Sequence, residues 1–129
     1  MLINLGNAHL GRFERLGESA DVDKAISYQS QALLLTPDGH ADKPGKLNNL
    51  GNSHRCRFER LGELEDIDRA IQCQTQAVQL IPDGHIYKSR MLENLSSSHR
   101  RRFERLGDST DLRQATEYQS QAFSPTANV

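Results

Sequence analysis

Apolar residues recur along this chain at helical spacing, in two alternating stripes. Leu47, Leu50, His54, Phe58 and Leu61 stand at i, i+3, i+7, i+11 and i+14, one face of an α-helix. This predicts a first helix, A, which Gly62 closes because glycine takes the left-handed conformation at a helix C-terminus. After the acidic link Glu63-Leu64-Glu65, Asp66 suits an N-cap or first-turn position, where a carboxylate meets unpaired backbone N–H groups. Ile67, Ala70, Ile71, Gln74, Ala77, Val78 and Ile81 then form the second stripe and predict helix B. Pro82-Asp83-Gly84-His85 ends it, since proline cannot continue a helix and Asp-Gly favours a turn.

The pattern repeats. Arg-Phe-Glu-Arg-Leu-Gly begins at Arg12, Arg57 and Arg102, a step of 45 residues, and Leu5, His9, Asp21 and Gln29 reappear at the same step. The units are 1–45, 46–90 and 91–124, with 125–129 as a frayed tail. A fixed period of this size marks a stacked array in which each unit buries its apolar face against its neighbours. The expected fold is therefore all-α, a single domain over 1–124 of three helix-turn-helix units and six helices. Unit three reaches Pro125 two residues early, and unit one starts on helix A at once. Both ends read as cut from a longer array or as left open for a partner.

Composition narrows the function. With 129 residues, 36% hydrophobic and 26% charged, the chain is of a soluble type, without a membrane-spanning run or a signal peptide. Aromatic residues make up 5% with no Trp, which favours thin, distributed packing over one large core. A net charge of −1 gives no global attraction to nucleic acid or an acidic membrane. Cys56 and Cys73 follow no metal or redox spacing and are expected to be reduced thiols in a cytoplasmic protein.

Leu47-x-x-Leu50-Gly51-x-x-His54, followed by Ala70-x-x-x-Gln74, Ala77 and Pro82, resembles the tetratricopeptide repeat. The unit is longer than that family's, its Trp is Leu, and its two aromatic places are His and Gln. Longer units of this kind are similar to those of kinesin light chains and of the fungal arrays that precede CHAT-type protease domains. The resemblance implies a right-handed α-solenoid whose helices A line a concave face, and a non-catalytic scaffold that binds a protein or extended peptide there.

Asn4, Asn49 and Asn94 recur between the two leucines of each helix A, well off the apolar seam. In O-GlcNAc transferase and kinesin light chain arrays a matching asparagine grips a peptide backbone. One amide offers both donors and an acceptor, so it pairs with a peptide group whatever the bound side chain. Asn7 and Asn52, a turn further on, extend this ladder, with Ser97 in unit three. Arg55, Arg60, Arg100, Arg101 and Arg105 add positive charge that would select acidic peptides, against the plainer reading of cations at a helix C-terminus. Glu104 and the acidic links interrupt any broad basic face, which disfavours nucleic acid.

His9, His54 and His99 fall on the seam one per unit, and helices packed about 8–10 Å apart do not bring them onto one metal ion. The buried amides Gln29, Gln74 and Gln119 need partners, and each His is expected to bond the Gln of its own unit, directly or through a backbone carbonyl. Phe58 and Leu61 are expected to carry the seam onto helix B, with nearby arginines paired to Asp66 or Asp68. Loop polarity accounts for His40 and His85. No nucleophile, base and orienting group assemble, no phosphate loop is present, and no cofactor is implied. The alternative reading is a structural module that self-assembles through its exposed terminal helices.

Overall fold

The computed structural model of the protein describes residues 19–123, all of whose regular structure is helical. Five helices follow in order: α1, Ser19–Leu34; α2, Lys43–Leu61; α3, Leu64–Leu80; α4, Lys88–Leu106; and α5, Ser109–Phe123. In the repeat, α1, α3 and α5 are helices B of units one to three, and α2 and α4 are helices A of units two and three. The helix A expected in unit one, and the tail 125–129, lie outside the described residues. Each helix packs on the one before and after it in the chain, and α2 also touches α4.

Local chemistry explains the element ends. Gly62 and Gly107 hold φ of 75° and 73°, and their N–H groups return to the carbonyls of Phe58 and Phe103 at 2.7 Å. Only glycine adopts that conformation without a steric cost. Helix α3 stops at Leu80 because Ile81 precedes a proline and is driven to extended φ and ψ of −93° and 130°. Helix α2 begins at Lys43, ahead of the unit boundary drawn at 46, because Pro44 sits in its first turn where its missing N–H costs nothing.

The core is distributed as the low aromatic content suggests. Phe58, Ile67, Ala70, Ile71 and Leu95 form one buried cluster across α2, α3 and α4; Val22, Ile26 and Leu50 form a second; Leu47, Ala77, Ile81 and Met91 a third. Each spans consecutive helices, so no hairpin buries its apolar face alone. Leu61 departs from the expected seam: it is 51% exposed, and Leu106 in the next unit is 55% exposed. The left-handed turn at the following glycine leads the chain away before helix B can cover that last position.

Two glycines in α2 give opposite predictions. A Cβ at Gly51 would lie 2.6 Å from Gln74 Cγ and 3.1 Å from the Ala70 carbonyl, whereas one at Gly45 would meet nothing within 4 Å. Helix propensity favours alanine by about 1 kcal/mol at an interior site. Gly45→Ala should therefore raise stability by about 0.4–1 kcal/mol, while Gly51→Ala should lower it despite the same propensity gain. Urea denaturation of both variants checks this. In the same assay Phe58→Ala, at a 7% exposed ring, should cost about 3–5 kcal/mol.

Candidate functional site

The buried polar groups lie within each hairpin and reach out to the preceding one, and they repeat. Asp66 lies in the first turn of α3, whose N-cap position is Glu63 rather than Asp66. Its Oδ1 lies 2.9 Å from His54 Nδ1, and Arg57 donates to it twice, Nε to Oδ2 at 2.9 Å and Nη2 to Oδ1 at 2.8 Å. The third guanidinium nitrogen of Arg57 reaches back to Asp23 of α1 at 2.8 Å. One unit later His99, Arg102, Asp111 and Asp68 repeat the arrangement at 2.8–3.1 Å. An ionised carboxylate only accepts, so the histidine Nδ1 carries the proton in both clasps.

The charges follow from burial and partners. Burial alone opposes ionisation of Asp66 and Asp111, but the hydrogen bonds from Arg57 and His54, and from Arg102 and His99, outweigh it and hold both carboxyls below the ordinary carboxylate range. Burial lowers the His54 pKa against the pull of Asp66, which keeps that ring neutral. Burial also pushes the half-buried Cys73 thiol up, making it a poor nucleophile.

A second bond set joins the same junctions. Gln29 accepts from Ser53 Oγ at 2.6 Å, and Gln74 accepts from Ser98 Oγ while donating to Asn52 Oδ1 at 3.0 Å. The expected pairing of His54 with Gln74 and of His99 with Gln119 is thus overturned. The histidine turns to the Asp of its own helix B, and the buried glutamine faces the helix A of the following unit. Gln119 is exposed and accepts from Arg100 at 3.0 Å. Ser96 replaces the glycine against which Gln74 packs, and its hydroxyl takes the Ala115 carbonyl at 2.6 Å. The pairing expected of His9 with Gln29 lies outside the described residues.

The connecting loops are also built to a pattern. Lys43 Nζ donates to the Thr36 carbonyl and pairs with Asp38 at 3.0 Å; Lys88 Nζ donates to the Ile81 carbonyl and pairs with Asp83 at 2.8 Å. His40 Nδ1 accepts the Asp42 N–H, and His85 Nδ1 accepts the Tyr87 N–H. These histidines therefore brace the loop rather than merely tolerate solvent, a correction to the sequence reading.

Between the two loops lies a groove of about 920 Å³. Pro44, Ile81, Pro82, Tyr87 and Met91 supply apolar wall, and His40, Lys46, Asn49 and His85 supply polar groups. Asn49 is half-buried there, and its carboxamide makes no hydrogen bond among the described residues. The other candidates do not converge on it. Asn94 donates to Asn48 Oδ1 at 3.3 Å, and Asn52 holds Gln74. Arg55 donates to the Asn94 carbonyl, Arg101 pairs with Glu59 and Glu104, and Arg105 donates to the Gly62 carbonyl. Arg60 is exposed, and Arg100 lines a separate small groove beside Gln119. Asn4 and Asn7 lie outside the described residues.

Sequence reasoning foresaw the arginine pairs with Asp66 and Asp68 but missed the histidine in the clasp, although a signal was present: the His-to-Asp spacing of 54 to 66 is repeated from 99 to 111. No group of three or more metal-ligating side chains occurs among the described residues, and none of their helices is long and apolar enough to cross a membrane. No family model, curated protein or solved structure matches the chain.

The clasp predicts acid lability. Asp66, Asp111 and His54 all have folded pKa values below their unfolded ones, so the unfolded chain takes up the proton more readily in each case. Their stabilisation is complete above the unfolded pKa and lost as pH falls. Melting temperature should begin to fall below about pH 6.5 through His54 and fall further below about pH 4 through the carboxylates. Thermal melts from pH 7.5 to 3.5 read this directly. Arg57→Met should cost about 3 kcal/mol by leaving the buried Asp66 carboxylate short of its cation, the low end for a buried pair because Arg57 is a quarter exposed.

Proposed function

We propose that this protein is a non-catalytic scaffold of the tetratricopeptide kind, a right-handed α-solenoid of paired helices that binds an extended peptide or protein segment. The observation that carries the reading is Asn49. Its half-buried carboxamide makes no hydrogen bond among the described residues and stays open to a groove with apolar walls, so its donors and its acceptor are available to a ligand. One amide pairing with a peptide group in each direction, beside Tyr87 and Met91 for side-chain contact, suits a strand-like ligand.

The repeated clasps support the same reading. They hold successive hairpins at a fixed relation, which a binding groove between them requires. Arg57, Arg101 and Arg102 are already paired with carboxylates, so the ligand is selected by backbone and apolar contact more than by acidity. The cytoplasmic location of such a scaffold belongs to the same proposal.

Peptides selected from a random, unstructured display library against the full chain should shift the amide resonances of Asn49, Tyr87 and Met91. Asn49→Ala should weaken them roughly tenfold, the equivalent of about one to two hydrogen bonds. Peptides that map elsewhere, or that bind the variant equally well, would remove the proposal.

A further inference from the structure

The two junctions inside the described residues obey one rule. A carboxylate on helix B, Asp23 or Asp68, receives an arginine of the next helix A, Arg57 or Arg102, at 2.8 and 3.0 Å. Beside it an isoleucine, Ile26 or Ile71, enters the shared core, and a glutamine, Gln29 or Gln74, receives a serine hydroxyl. In α5 the corresponding positions hold Arg113, Thr116 and Gln119.

The face of α5 keeps part of that surface and inverts its charge. Leu112 and Phe123 are 41% and 66% exposed, whereas Ile67, the counterpart of Leu112 in α3, is fully buried. Among the described residues α5 packs against α4, and the opposite face carries an open groove of about 650 Å³ lined by Leu112, Arg113, Thr116 and Glu117. Arg113 is exposed and forms no ion pair among the described residues. The matching position of each 45-residue unit is arginine, Arg12, Arg57 and Arg102. A helix A from a second copy would thus bring arginine against Arg113, and like charges at a half-exposed contact of this kind disfavour it by a factor of about five or less, about 1 kcal/mol.

We propose that the exposed face of α5 is a docking surface for an amphipathic helix of another protein that carries a carboxylate where this chain's own helices carry arginine. Leu112 supplies the apolar contact, and Arg113 selects the acidic helix and disfavours a second copy of the chain. Glu117 lies one turn on from Arg113 and confines the acidic partner to the Arg113 end of the groove.

Synthetic peptides test this on the full chain. The first probe is residues 88–106, the helix that α3 receives; the second is the same peptide with Arg102→Glu. Titration should show the Arg102→Glu peptide binding at least about fivefold tighter than its parent. Arg113→Asp, which installs at an exposed site the residue type found in α1 and α3, should reverse that preference. Equal binding of the two peptides, binding of neither, or an unchanged order on Arg113→Asp would overturn the proposal. Concentration-dependent end-to-end assembly of the unaltered protein in sedimentation would overturn it as well. None of these readouts involves Asn49, so this proposal and the peptide groove fail or stand separately.

Discussion

A carboxylate with 5% of its side chain exposed cannot stand without a cation, and at Asp66 that requirement organises the molecule. Its histidine comes from the same hairpin and its arginine from the same helix A, so the bonds first fix how α2 meets α3. The arginine has a third nitrogen to satisfy, and it finds Asp23 on the preceding helix. One guanidinium therefore sets both the angle within a hairpin and the position of the hairpin before it. The planar fork suits this task because its donors point in fixed directions.

Directional bonds matter more here than in a protein with a large core. The apolar clusters are small and each is shared by consecutive helices, so burial alone would leave the helices free to slide. The Gln74–Ser98 bond and the Arg102–Asp68 pair fix the register of the next hairpin. Gly51 completes the fit by letting the Gln74 side chain lie against the α2 backbone. Where serine stands in its place, at Ser96, the matching glutamine turns outward to Arg100.

The same constraint shapes the surface. Because Lys43 and Lys88 bind the Thr36 and Ile81 carbonyls just past the ends of the preceding helices, the two loops keep the same form and a groove remains between them. Of the arginines that look like a basic face in the sequence, Arg101 is paired with Glu59 and Glu104, Arg55 and Arg105 donate to the Asn94 and Gly62 carbonyls, and Arg100 donates to Gln119. At α5 the junction rule changes sign, and the array presents a face unlike the ones it uses internally.

Helix positions, their glycine and proline ends, the 45-residue step and the sparse core were legible in the sequence, since periodicity and capping depend on neighbours a turn or two away. Leu61 was misplaced because its burial depends on where the chain goes after Gly62. The partners of His54 and Gln74 were legible only in part: the repeat showed that each buried polar group needed one, yet Asp66 lies 12 residues from His54 and Ser98 lies 24 from Gln74. Which of several suitable groups closes such a bond is decided by how hairpins stack, and so is the separation of Asn49 from Asn94. The sequence by itself determined what kind of helices form and how often; only the tertiary structure decided which polar groups they share, because hydrogen bonds are made across distances in space that helical spacing does not encode.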